Sequence, residues 1–525
     1  MLLHLKKFRL YYGVLLLILL FDCLFLFSPI WYDESWRIMR VIDKSYLITN
    51  KLNYSGFPYG LQIIGKITSF IFGNYEFIFR FPILVISLAT SVLFIKKWKN
   101  ILNYLLLISI ILLFNSNHIF FTHSIQYKQL ASDATLYFLC FLILLKDNNR
   151  KSLITSLVLF VLSLFSMNTI FFVPVFILFV LKKEKSSRVK ALSIIVSLVS
   201  IGITYLTYLD GSAIGTFVLE KYWAGDFIKL NSLSNVVASF LKNLSIINLF
   251  FSSKNSLISN SFAMFNVNNF AKVCFLFFIF SALYQKRKNI YFLSLIIIPF
   301  LEINVLSVLH KWPIGDNRVN IFLMPLLLYL FVEGYIYLNK IKFKTYKYVF
   351  LSLFIFVLFA FFLNTCDTIT TYAKYIAKPI IRKTFDFSEP LPERVADGMK
   401  CTVKEILKVN KPNDTILLYH FLSEPVFGFY SWHYNFGDKF QTRVKPENIF
   451  NNVDYFETTG RGYLPDHSEK FFQERFKKGS VYIIMIVGTE EKFANMQIER
   501  AGKYGKFVKF VPCRGLVASW HFAPK

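Results

Sequence analysis

Eleven apolar runs of membrane-spanning length, separated by short Lys and Arg clusters on every second connection, restrict this chain to one kind of fold. A spanning helix needs about 20 mostly apolar residues. Such runs begin near Leu10, Phe77, Leu102, Ala131, Leu153, Thr169, Ala191, Asn269, Ile290, Val319 and Val349. Backbone inside lipid must satisfy its own hydrogen bonds, so runs of this kind fold as helices. The 525 residues are 55% hydrophobic and 17% charged, which excludes intrinsic disorder, and six cysteines in so long a chain exclude a disulfide-built secreted scaffold. A formal net charge of +27 would in a soluble protein suggest nucleic acid. Here the basic residues lie between apolar runs, where they set topology, and no nucleic-acid partner is expected.

The run from Leu10 to Ile30 follows Lys6, Lys7 and Arg9, as a signal peptide would. It is too long for one and ends in Ser-Pro-Ile-Trp-Tyr-Asp-Glu rather than a small-residue cleavage site, so it reads as an uncleaved span. The stretch from Leu153 to Leu181 is long enough for one tilted helix, but Asn168 and Pro174 predict two shorter crossings joined by a hairpin. With a cytoplasmic N-terminus, six short inner loops then hold 21 basic residues, from Lys6 through Lys96, Lys146, Lys182 and Lys286 to Lys347. That is the positive-inside pattern, and it holds only if the run is split. Eleven crossings place the C-terminus outside, and a bacterial inner membrane is the expected location.

Two outward segments are long, Trp31 to Glu76 and Asp210 to about Val267. The first contains amphipathic stretches such as Leu61 to Phe72, expected to lie in the membrane interface. From Cys366 the composition is that of a soluble domain. A helical pattern through Val395, Met399, Val403, Ile406 and Leu407 leads to a strand at Thr415 to Tyr419. Ser423-Glu424-Pro425 starts a helix, Phe471 to Lys478 is a helix stopped by Gly479, and Val481 to Val487 is a buried strand. A helix from Thr489 to Ala501 precedes strands at Lys506 to Val511 and Leu516 to Phe522. The predicted fold is an α-helical polytopic membrane protein with a C-terminal extracytoplasmic α/β domain, residues 1–365 and 366–525 respectively. Cys401 and Cys513 are candidates to pair, leaving Cys366 over, although spacing does not give connectivity.

Asp33 and Glu34 stand where the chain leaves the first helix, flanked by Trp31, Tyr32 and Trp36. Carboxylates beside aromatic rings at an aqueous boundary can take a proton from an acceptor hydroxyl; the same residues also read as a polar helix end in an aromatic belt. Asp22 and Glu302 lie inside apolar runs, where an ionised carboxylate costs at least about 2.5 kcal/mol unless paired or hydrated. Glu302 follows Pro299 and is read as facing a polar chamber, Asp22 as interhelical glue. His123 and His310 fall on outward loops and leave room for a divalent metal with Asp33 or Glu34, but their spacing matches no metal motif and ordinary loop histidines are the plainer reading. A Gly-rich phosphate loop is missing, which argues against a nucleotide-sugar donor.

An Asp-Glu pair opening the first outward loop of a many-helix protein with an α/β tail resembles the GT-C membrane glycosyltransferases, in particular the protein O-mannosyltransferase and aminoarabinose transferase group. Asn74-Tyr75-Glu76-Phe77-Ile78-Phe79-Arg80-Phe81-Pro82 is similar to that group's Arg-x-Pro approach to the second helix. Tyr127-Lys128-Gln129-Leu130-Ala131-Ser132-Asp133 resembles its polar segment before the fourth, and Lys311-Trp312-Pro313-Ile314-Gly315-Asp316-Asn317-Arg318 a late loop of bacterial relatives. The resemblance implies a polyprenyl-phosphate sugar as donor, a lipid, glycan or protein hydroxyl as acceptor, inversion by single displacement, and no required cofactor. It makes 31–76 the catalytic loop, Asp33 the general base, and Glu34 a residue that orients Asp33, binds acceptor or binds a metal. The chain departs from the aminoarabinose transferases at Asn53-Tyr54-Ser55-Gly56-Phe57-Pro58-Tyr59-Gly60, where a Lys-Pro-Pro-like turn is expected. The phosphate-contacting basic residue is therefore absent from that turn.

A phosphate leaving group needs positive charge at the outer face. Lys128, Lys311 and Arg318 are expected there on separate loops, with Arg80 at a helix start; Arg318 suits a bidentate contact, and Arg80 can instead pair with Glu76 one turn earlier. Tyr127 and Asp133 are expected, with Glu302, to line the cavity. Each basic residue alone also fits snorkelling at a helix end. A flippase of lipid-linked glycans would predict related halves and midplane charges, whereas no repeat is found here. An O-antigen ligase or polymerase using a pyrophosphate-linked donor would predict its large outward loop in the second half. An inactive binding relative would share every feature of the enzyme.

Overall fold

A computed structural model describes residues 2–26, 34, 37–38, 41, 57–73, 75–146, 152–204, 223–230, 232, 234–235, 238, 245–251, 262–316, 318–341, 344–381, 399–407, 409, 414–419, 453–458, 468–486, 491–511 and 517–525. Each predicted apolar run coincides with helix: α1 (Leu2–Cys23), then, after an amphipathic α2 (Tyr59–Phe72), α3 (Glu76–Trp98), α4 (Tyr104–Asn115) with α5 (His118–Ser124), and α6 (Gln129–Lys146). There follow α7 (Ser152–Phe165), α8 (Val173–Lys183), α9 (Ser187–Thr204), α10 (Phe262–Gln285), α11 (Ile290–Val308), α12 (Met324–Leu338) and α13 (Lys344–Ile381). Among the described residues seven helical stretches are long and apolar enough to cross a bilayer, and α4 with α5, bent by 66° at the break, makes an eighth if the pair is one span. Asn117 builds that break: its side chain accepts from the N–H groups of Ile119 and Phe120 while its amide donates to the Leu249 carbonyl at 2.6 Å.

The expected division of Leu153 to Leu181 is present. α7 stops at Phe165, a 3-10 turn over Met167–Phe172 holds Asn168, and Pro174 occupies the first turn of α8, where no backbone N–H is needed. α7 and α9 pack together through hydroxyl-rich faces, Thr155, Ser156 and Ser163 against Ser193, Ser197, Ser200 and Thr204. Ser197, Ser200 and Thr204 donate back to carbonyls of their own helix, so small side chains allow close approach without exposing unmet donors to lipid. α10, α12 and α13 meet through aromatic rings: Phe278 and Phe331 lie 5.3 Å apart, and Phe354 stacks on Phe331 at 4.6 Å and on Tyr335 at 4.1 Å.

The chain divides into two compact units: Met1–Cys23, Lys51–Ile63 and Arg80–Thr370 form the first, and Leu24–Asn50, Ile64–Phe79 and Thr371–Lys525 the second. The division at Thr370 falls inside α13, which runs through Cys366 without interruption to Ile381. α2 presents Ile63, Ile67, Phe70 and Ile71 outward, an apolar stripe at helical spacing that suits an interfacial helix.

In the second unit α14 (Met399–Leu407) precedes β1 (Asp414–Tyr419), β2 (Val453–Thr458), α15 (Glu469–Phe476), β3 (Val481–Ile486), α16 (Glu491–Tyr504), β4 (Gly505–Val511) and β5 (Val517–Pro524). Sheet order is β2-β1-β3-β5-β4, with β1 parallel to β2 and β3, and β5 antiparallel to β3 and β4. β2 was not expected, because Val453-Asp454-Tyr455-Phe456-Glu457-Thr458 mixes acidic and aromatic residues without a clean apolar run, and its pairing with β1 is what makes it a strand. The helix expected at Ser423 lies outside the described residues. Leu417, Val481, Ile483 and Phe522 on one sheet face enclose a small core with Phe472, Phe476 and Ala501 from α15 and α16. Cys401 on α14 is disulfide-bonded, Cys23, Cys140, Cys274 and Cys366 are free, and Cys513 lies outside the described residues. Cys401→Ser is expected to cost the tail about 2–5 kcal/mol, read as a lower melting temperature of the purified full-length protein with unchanged melting in reductant. Equal melting of variant and wild type without reductant would remove the bond's structural role.

Candidate functional site

Asp33 lies outside the described residues. Its neighbour Glu34 is fully buried, and the helical positions 34, 37, 38 and 41 place Glu34, Arg37, Ile38 and Val41 on one enclosed face of the second unit.

The first unit gathers polar side chains at helix starts and breaks within an otherwise aromatic and aliphatic interior. Arg80, in the second turn of α3, has no exposed surface. Lys128 and Tyr127 precede α6 and are both buried; the Tyr127 hydroxyl donates to the Leu61 carbonyl at 2.8 Å and its ring meets Phe57 edge-on at 4.9 Å. These contacts fix the Ile125–Lys128 turn against the first turn of α2. One turn into α6, Asp133 is 1% exposed and its carboxyl lies beside the Ser166 hydroxyl at the end of α7. The start of α6 thus packs on the break that carries Asn168, and also on the 3-10 turn Ile321–Leu323 before α12.

Several atoms of this region find no protein partner among the described residues: Asp133 Oδ1, Ser166 Oγ, Asn168 Oδ1 and both polar atoms of the Gln126 side chain. All four residues are at most 2% exposed. Each unmet buried polar atom costs about 1–3 kcal/mol, so a cluster of them at one end of a membrane bundle suits a place that receives water or a polar ligand. Glu302, on α11 after Pro299, also has an unpartnered Oε1 and lies within electrostatic reach of Tyr137, one turn along α6 from Asp133. The Tyr137 ring is held between Phe172 at 4.5 Å and Phe322 at 4.8 Å. Asp22 is buried on α1.

The loop between α11 and α12 is tied to this region and to residues 223–228. Trp312 lies 5.4 Å from Phe171 and 5.8 Å from Phe322, and its indole N–H donates to Asn320 Oδ1 at 3.0 Å. Arg318 grips Asp316 side-on, Nε to Oδ1 at 3.2 Å and Nη2 to Oδ2 at 2.7 Å. The Arg318 backbone N–H donates to Oδ1 at 2.8 Å and the Trp223 indole N–H to Oδ2 at 2.9 Å. Burial by itself would raise the Asp316 pKa, but the Arg318 hydrogen bond and charge, with the Trp223 bond, outweigh it and hold the carboxyl below its ordinary value of 3.8. This contact is complete at neutral pH and loosens only as pH falls through that depressed value. A backbone bond from Gly315 N–H to the Asp226 carbonyl at 2.9 Å closes the same junction.

His310 follows α11 with φ +55°, a left-handed position that favours glycine, and its ring stacks on Phe227 at 5.0 Å. Lys311 beside it is exposed, whereas His123 in α5 is buried. Among the described residues no three His, Cys, Asp or Glu side chains gather as a metal site. The residues not anticipated as site members are Gln126, Ser166 and Trp223, with Asn168 read only as a helix breaker. Ser and Asn at a helix break are a usable signal; Trp223 offered none, because its partner is 93 positions away.

No family model and no curated protein matches this chain. Among solved structures it is similar to the crystal structure of ArnT from Cupriavidus metallidurans bound to undecaprenyl phosphate, with TM-score 0.49 and 10% identity over 98% of this chain and 97% of that one. The apo state of the same protein gives TM-score 0.42 and 12% identity over 99% and 98%.

Proposed function

We propose that this protein is a GT-C-type membrane glycosyltransferase that moves a sugar from a polyprenyl-phosphate donor to an extracytoplasmic hydroxyl. The observation that carries the reading is the enclosed polar set at the start of α6 and the α7–α8 break, Gln126, Lys128, Asp133, Ser166 and Asn168, inside a bundle otherwise built from Phe, Leu and Ile. If all eleven runs cross, chain connectivity puts the starts of α3, α6 and α12 and the ends of α7 and α11 at the same end of the bundle as the exit of α1. The buried cations and the orphaned hydrogen-bonding groups of the first unit then share one aqueous boundary, on the side of the membrane where the sequence reading also expects Asp33, and there a lipid-borne sugar is reached from the bilayer and its acceptor from water. A flippase of lipid-linked glycans would predict related halves, and this sequence shows no repeat.

In the proposed reaction Asp33 takes the proton of the acceptor hydroxyl as that oxygen attacks the anomeric carbon. The bond to the phosphate oxygen breaks with inversion, and polyprenyl phosphate leaves carrying the electron pair beside Arg318 and Lys128, with Lys311 and Arg80 as further candidates. The disulfide at Cys401 supports a tail in an oxidising, extracytoplasmic compartment, and with it a cytoplasmic N-terminus in a bacterial inner membrane. The test is wild-type protein in lipid nanodiscs, incubated with a panel of polyprenyl-phosphate monosaccharides and an envelope extract, with free polyprenyl phosphate measured by mass spectrometry. Release from one donor that requires the extract is expected. No release from any donor by demonstrably folded protein would overturn the reading.

A further inference from the structure

We infer that Asp316 is a positioning residue that sets the direction of the Arg318 guanidinium, and that Trp223, from the second outward segment, holds Asp316 for this task. The inference rests on the reading that Arg318 contacts the donor phosphate. An arginine has five N–H donors in a rigid plane, and Asp316 takes the side-on edge formed by Nε and Nη2. The plane is thereby fixed, and a guanidinium held in one plane is the form in which arginine meets two phosphate oxygens at once.

The Arg318 side chain is 41% exposed and that of Asp316 9%, so the acid is the more enclosed member of the pair. The ordering comes from the acid. Each of its oxygens receives two donors, Oδ1 from the backbone N–H and Nε of Arg318, and Oδ2 from Nη2 and the Trp223 indole. Three of these belong to Arg318 and would move with its loop. The Trp223 bond ties the loop to a segment 93 residues away, and the adjoining bond from Gly315 N–H to the Asp226 carbonyl, with Ile228 N–H donating to Ser307 Oγ at 3.2 Å, keeps that segment in place. A surface ion pair between neighbours needs none of this bracing, and an exposed pair alone would contribute little.

Full-length protein in nanodiscs is titrated with undecaprenyl phosphate, and donor kinetics are measured for wild type, Asp316→Asn, Asp316→Glu, Trp223→Phe and Arg318→Ala. Asp316→Asn is expected to weaken lipid-phosphate binding and raise the donor KM by about ten-fold with kcat little changed. Trp223→Phe, which removes one bond and keeps the ring, shifts KM in the same direction by less, and Asp316→Glu recovers part of the loss. If Arg318→Ala loses binding while Asp316→Asn and Trp223→Phe bind like wild type, the positioning role is wrong and the Arg318 reading stands. If Arg318→Ala binds like wild type, the Arg318 reading fails and the positioning role with it. Trp223→Phe also covers the case in which Asp316→Asn misfolds: a folded Trp223→Phe protein with unaltered KM overturns the role.

Discussion

Asp33→Asn is expected to leave a folded protein whose turnover of a polyprenyl-phosphate sugar falls by about 10²- to 10⁴-fold, the contribution typical of a general base. Asparagine keeps the size and hydrogen-bonding capacity of the side chain but cannot accept the acceptor's proton, so kcat falls while donor binding, which does not require that proton, is preserved. Glu34→Gln should behave differently. Glu34 is enclosed on a helical face with Arg37, Ile38 and Val41, so neutralising it disturbs burial first and lowers thermal stability. The two variants are compared by melting temperature, donor KM and kcat in the same nanodiscs. Turnover of Asp33→Asn within a factor of about three of wild type would remove Asp33 as the base, because the loss expected of a base is far larger.

The second large effect is structural. Gly334 lies in α12 where it crosses α10, and a Cβ at that position would fall on the backbone carbonyl of Phe278. Backbone cannot rotate out of the way as a side-chain end can, so Gly334→Ala must push the two helices apart and separate Phe331 and Tyr335 from Phe278. Overpacking of this kind costs about 1–3 kcal/mol or more, and in lipid the lost close packing has no hydrophobic substitute. Detergent-solubilised variant should melt at a clearly lower temperature or fail to accumulate. Gly13, whose added Cβ would meet nothing within 4 Å, is the control and should tolerate alanine. A Gly334→Ala protein as stable as Gly13→Ala would place the α10–α12 contact elsewhere.

The site was less legible than the helices. Asp133, Tyr127, Lys128 and Arg80 could be named because they stand out as polar residues against apolar runs, and all four proved buried. The opposite happened at Arg318. Sequence offers it, with Lys128, Lys311 and Arg80, as a candidate phosphate contact, and the structure adds Asp316 and Trp223, the latter through a contact that no local pattern announces.

The places of the apolar helices were determined by sequence alone, because in lipid a backbone segment of that length has no alternative to satisfying its own hydrogen bonds; eleven runs were expected to cross, and among the described residues seven or eight helical stretches are long and apolar enough to do so. The break at Asn168 and Pro174 was equally local, since a missing N–H and a competing amide act within one turn. In the tail, strands with clean apolar runs could be read in the same way, but Val453–Thr458 is a strand only because β1 offers it an edge. Tertiary structure alone decided which polar groups lose water together. Burial and hydrogen-bond partnership depend on segments far apart in the chain, as when Asp133 and Ser166 are enclosed together or the Trp223 indole bonds Asp316, and no periodicity within one segment encodes its partner's position.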